Sequence, residues 1–147
     1  MNLRSAARLV TVLAGVALAL PAVALAIVKQ GQYAGMSSVK IPVVIGTQET
    51  TRTDVGSVSF KIKAGAVTGF TVKKQQAFCG GQSPVVDVKI ASMKLSKTGT
   101  ATGKTTDPNL GPITVAIKVT PRGLATGTVT YAGLCQSKAA FTAHFLS

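Results

Sequence analysis

Ser57-Val58-Ser59-Phe60-Lys61-Ile62-Lys63-Ala64-Gly65-Ala66-Val67-Thr68-Gly69-Phe70-Thr71-Val72-Lys73 decides the fold. Val58, Phe60 and Ile62 alternate with Ser59, Lys61 and Lys63, the period of a strand with one buried face. Ala64-Gly65 can turn the chain. Phe70 and Val72 then face inward, with Thr71 and Lys73 outward, so the stretch predicts a β-hairpin.

The same period continues on both sides. Val39, Ile41, Val43 and Ile45 alternate with Lys40, Pro42 and Val44. Pro42 cannot donate to a ladder, which predicts an edge or a weakly paired stretch there. Val86, Val88 and Ile90 share one phase, but Met93 and Leu95 take the other, so a bulge or turn is expected near Ala91-Ser92. Ile113, Val115, Ile117 and Val119 form another face. Pro121-Arg122-Gly123 is a turn signal, Val129 and Tyr131 follow on an inward face, and Phe141 and Phe145 mark a last strand over Ala139–Leu146. No segment after residue 26 has helical periodicity. The fold class predicted is all-β: a single antiparallel β-sandwich or partly closed barrel of about eight strands. Two polar stretches, Gly46–Gly56 and Gly99–Pro112, read as long loops.

The first 26 residues read differently. Arg4 and Arg8 precede an apolar run from Leu9 to Leu20, then Pro21 and Ala24-Leu25-Ala26. That is the layout of a secretory signal peptide with a small-x-small cleavage site. Cleavage after Ala26 leaves Ile27–Ser147, 121 of the 147 residues, a single extracytoplasmic domain. No second run of about 18 apolar residues follows, so no transmembrane segment is expected after leader cleavage. The expected location is secreted or cell-envelope.

Export permits disulfides. Cys79 and Cys135 are the only cysteines, so one pairing exists. They are 56 residues apart, and closing a loop of that length stabilises by about 4 kcal/mol in the chain-entropy account. A reactive thiol would want a neighbouring base, and a metal would want four ligands; His144 is the only histidine.

Charge is the other firm property. The chain carries +12, and without Arg4 and Arg8 it carries +10. Only Glu49, Asp54, Asp87 and Asp107 oppose that excess, which attracts polyanions. The outward lysines expected to contact one are Lys61, Lys63, Lys73, Lys74, Lys89 and Lys118, with Lys61, Lys63 and Lys73 on one hairpin. Scattered lysines can also serve solubility alone.

Catalytic constellations are sparse. His144 is the only candidate base, and Asp87 could sit on a strand beside it. Glu49 and Asp54 could share a loop cleft or meet a calcium ion, but too few oxygen ligands are evident for a dedicated site, and solvated loop charges are the favoured account. Gly99-Thr100-Ala101-Thr102-Gly103-Lys104-Thr105 is one residue short of a phosphate-binding loop. With no tryptophan, and aromatics mostly on inward faces, no sequence-specific nucleic-acid binding is expected. No cofactor and no metal is expected either.

Gly31-Gln32-Tyr33-Ala34-Gly35, Phe78-Cys79-Gly80-Gly81 and Cys135–Ala143 together resemble a loose group of small exported bacterial all-β proteins of unassigned activity, which often carry tryptophan where Phe141 stands here. The resemblance implies a compact extracytoplasmic β-domain with one disulfide, and it transfers no functional site. The expected function is a secreted, non-catalytic β-domain that binds an anionic cell-envelope polymer, polysaccharide or surface through exposed lysines. The alternative is a protein-interaction module, an inhibitor or adhesin, that meets an extracellular protein through loops 46–56 and 99–112.

Overall fold

A computed structural model describes residues 27–147. Eight antiparallel strands follow one another: β1 (Gly31–Ile45), β2 (Gln48–Lys63), β3 (Ala66–Gln76), β4 (Val85–Lys94), β5 (Thr100–Asp107), β6 (Gly111–Val119), β7 (Leu124–Ala132) and β8 (Gln136–Phe145). They form one sheet in the order β4-β3-β2-β1-β8-β7-β6-β5. Two meanders, β1–β4 and β5–β8, are thus joined by the β1–β8 ladder, which runs from Tyr33↔Phe145 to Ser38↔Ala140. The sheet curls into a nearly closed barrel. Between β4 and β5 there is a seam with no ladder, closed by side chains: a Cβ on Gly103 of β5 would lie 2.5 Å from the Met93 side chain of β4.

The interior is apolar and filled. Val58, Phe60 and Ile62 of β2, Phe70 and Val72 of β3, and Val129 and Tyr131 of β7 are all buried, as their alternation predicts. Aromatic rings run through it in contact: Tyr33 stacks on Phe60 at 5.0 Å, Phe60 lies 6.0 Å from Phe70, and Phe70 lies 5.6 Å from Phe141. Such pairs add to the area term that drives burial. The outward positions are mainly Thr, Ser and Lys. Apolar in and polar out is the inverse of a membrane-spanning barrel.

The turn chemistry agrees with the sequence. Ala64 and Gly65 take φ of 49° and 73° and close the β2–β3 hairpin, the left-handed pair that a type I′ turn demands. The change of phase at Ala91-Ser92 is present, with Ile90 and Met93 both buried. It is matched across the β3–β4 ladder by Gly69, where β3 changes phase as well. Pro42 lies in the outer part of β1, beyond Ser38, where β8 has stopped pairing and β2 is the only neighbour.

Three readings are corrected. Segment 46–56 is not a loop: Gly46-Thr47 is a two-residue turn, and Gln48 onward belongs to β2. Segment 99–112 is likewise strand β5, a short turn, and the start of β6. Val43 and Ile45 continue the alternation of Val39 and Ile41 but do not share their burial. They lie on a hairpin arm that outruns the barrel, and Ile45 is 67% exposed.

The longest connection, residues 77–84, joins β3 to β4 and reaches across to the β7–β8 connection, where Cys79 is bonded to Cys135. Cys79 and Gln82 exchange backbone hydrogen bonds of 2.8 and 3.1 Å around Gly80-Gly81, both at positive φ, a conformation glycine adopts without a Cβ penalty.

Candidate functional site

An up-and-down meander sends alternate connections to opposite ends of the barrel. The turns at 64–65, 95–99 and 120–123 lie at one end, with the entry to β1 and the exit of β8. The β1–β2, β3–β4, β5–β6 and β7–β8 connections lie at the other, with the disulfide. The acids, though not the cations, are segregated along the same axis. Lys29, Lys61, Lys63, Lys94, Lys97, Lys118 and Arg122 belong to the first end, and all seven are exposed. Glu49, Asp54, Asp87 and Asp107, the chain's only acids, belong to strand segments nearer the second. The first end is a cap of seven cations with no Asp or Glu among its described residues.

The cap is held together by residues 27–30, which cross it. Tyr33 is buried in the core, and its hydroxyl donates to the Lys29 carbonyl at 2.8 Å. Burial pushes that hydroxyl above its ordinary pKa, so it stays a donor throughout the neutral range. The Ala64 amide donates to Gln30 Oε1 at 3.4 Å, the Lys29 ammonium stands 5.4 Å from the Phe145 ring centre, and Val28 packs on the core. The Leu95 amide donates to the Gly65 carbonyl at 2.9 Å, tying the β4–β5 connection to the β2–β3 turn. Between these elements lies a hollow of about 290 Å³ lined by Ile27, Val28, Gln30, Ile62, Gly65, Leu95, Ser96 and Lys97.

The register fixes the spacing of the cations. Lys63 pairs with Ala66, which pairs with Lys94, so these two lysines stand two strands apart, about 10 Å. Lys61 and Lys63 are alternate residues of one strand, about 7 Å apart. Lys118 pairs with Thr100, which follows directly on the 95–99 connection. An array of this pitch can meet successive charges of an anionic polymer or neighbouring headgroups of an anionic surface.

The lysines named from the sequence divide. Lys61, Lys63 and Lys118 lie in the basic cap. Lys73, Lys74 and Lys89 are exposed but lie farther along β3 and β4, where the Lys74 amide donates to Asp87 Oδ1 at 3.0 Å. Lys61, Lys63 and Lys73 therefore share an outer face without forming one compact patch. Lys94 is outward by the alternation of Met93 and Leu95, but Lys29, Lys97 and Arg122 lie outside the strands, and the signal that gathers all four is the parity of the connections in a meander.

The catalytic pairing does not assemble. His144 is on β8 and Asp87 on β4, four strands apart in the sheet. Glu49 and Asp54 are five residues apart along the extended β2, about 16 Å. The stretch 99–105 is a turn residue and a strand rather than a phosphate cradle. Among the described residues no group of three His, Cys, Asp or Glu could hold a metal ion, and none forms a helix long and apolar enough to cross a membrane.

The fold and this cap define a small eight-stranded antiparallel barrel with a packed core and a polarised charge. Searches against protein-family models, curated proteins and solved structures find no match.

Proposed function

We propose that this protein is an exported, non-catalytic β-domain that binds an anionic polymer or surface through the basic end of its barrel. The observation that carries the reading is the segregation of the acids: seven cations with no Asp or Glu among the described residues of one end, against seven cations with all four acids over the rest of residues 27–147. A low-dielectric packed core behind such an array focuses its field outward. The filled interior supports a surface ligand over an enclosed one. The leader-like residues 1–26 and the Cys79–Cys135 disulfide support a place outside the cytoplasm.

Retention on heparin and on acidic wall polymer across a salt gradient tests this. Expected is firm retention at about 50 mM salt and release well before about 0.5 M, because counterion release makes the affinity fall steeply with salt. Retention no better than that of a control protein of equal net charge overturns it. The interaction-module reading moves from loops to the arm formed by residues 42–51, where Val44 and Ile45 are each 67% exposed. Shortening the arm at its tip would then abolish capture of a protein partner and leave the salt-dependent retention unchanged.

A further inference from the structure

We infer that the anionic target of the basic end is a lipid bilayer, on which the barrel stands end-on with Ile27 and Leu146 entering the headgroup layer. The inference rests on the polyanion reading above and narrows it to one source of negative charge. Its ground is that exposed apolar side chains stand among the cations at this end, whereas the exposed Val44, Ile45, Val85 and Leu134 lie toward the end that carries the acids. Ile27 is 84% exposed and Leu146 49% exposed, although both flank strands with a well-filled core. They lie on the two chain segments that meet at this end, with the Leu146 amide donating to the Gln32 carbonyl at 2.8 Å.

A soluble polyanion offers nothing to these side chains. A bilayer offers acyl-chain boundary to the apolar groups and headgroup charge to the surrounding Lys63, Lys94, Lys97 and Arg122. Peripheral attachment combines these two terms, burial of apolar side chains at the acyl boundary and attraction of cations to an anionic surface. Neither term suffices alone: two side chains bury little area, and cations are screened beyond about a Debye length. The acidic residues lie toward the far end, so this orientation keeps Glu49, Asp54, Asp87 and Asp107 away from the anionic surface.

The protein lacks tryptophan, so an introduced one reports from a single site. Residues 27–147, which contain the entire described core and the disulfide, would carry Ile27→Trp or, separately, Leu146→Trp. The probes are vesicles of phosphatidylcholine alone, vesicles with about one third phosphatidylglycerol, and heparin. Expected are a blue shift and quenching by brominated acyl chains on the anionic vesicles only. The double variant Ile27→Ser, Leu146→Ser should bind those vesicles about tenfold more weakly and elute from heparin at the unchanged salt concentration. Heparin retention without a blue shift on anionic vesicles overturns the lipid inference and leaves the polyanion reading standing. Failure to bind either probe overturns both.

Discussion

Tyr131 shows how much a single side chain in this barrel can be tested. It is 2% exposed, and its hydroxyl has no hydrogen-bond partner among the described residues. Burial first, and the Asp107 carboxylate second, push its pKa from 10.0 up to about 12. In the unfolded chain the phenol ionises near 10, so between pH 10 and 12 the folded state holds a proton that the unfolded state has lost. Stability from this group is complete below pH 10 and disappears as pH rises through 12. Tyr131→Phe should therefore flatten the fall of stability over that window, read from urea midpoints at several pH values. At neutral pH it should leave stability unchanged or raise it by about 1 kcal/mol, because the hydroxyl it removes is desolvated and unpaired. A loss of more than that at neutral pH would mean the hydroxyl has a partner. The opposite case is Ser37, equally buried, whose hydroxyl donates to Gln75 Oε1 inside the barrel. That polar pair is satisfied, which is the condition for keeping it in a core.

At the scale of strands, the β1–β8 ladder is the vulnerable joint, because among the described residues it is the one ladder that joins the two meanders. Gly35 sits in it opposite Ala143, and a Cβ there would collide with the Thr142 carbonyl oxygen and the Ala143 Cα. These are backbone atoms that no rotamer change can move. Gly35→Ala should cost about 3 kcal/mol, at the upper end of overpacking effects, measured as a shift in the denaturation midpoint with unchanged slope. A neutral result would show that the ladder can separate without loss. The strands were legible wherever one face is buried. In β2, Val58, Phe60 and Ile62 alternate with exposed residues and read at once. Gln48 to Thr53 of that same strand are exposed at every position, so no period exists there to read, and only pairing with β1 makes them a strand. Residues 100–107 failed for a related reason: β5 lines the seam, and between Ala101 and Asp107 it buries no side chain fully. Sequence period reports burial, and these two segments are strands without it.

For the whole molecule, the chain displays its net charge but not the arrangement of that charge. Cations are spread along the sequence, and Lys73-Lys74 is the only adjacent pair. The meander gathers Lys29, Lys63, Lys94, Lys97 and Arg122 because they flank every second connection, and it disperses Lys73, Lys74 and Lys89 toward the acids. This yields a prediction that total charge cannot mimic. Lys63→Gln, Lys94→Gln and Lys97→Gln together, and Lys73→Gln, Lys74→Gln and Lys89→Gln together, remove the same charge from exposed positions. If the basic end is the site, the first triple should lower the slope of log affinity against log salt on heparin by about 3, roughly one per lost contact. The second triple should change it little, since charges beyond about 8 to 10 Å from the ligand are screened at physiological salt. Equal losses from both triples would show that binding follows net charge alone, and would return the lysines to a role in solubility. A larger loss from the second triple would move the site to the β3–β4 face around Asp87.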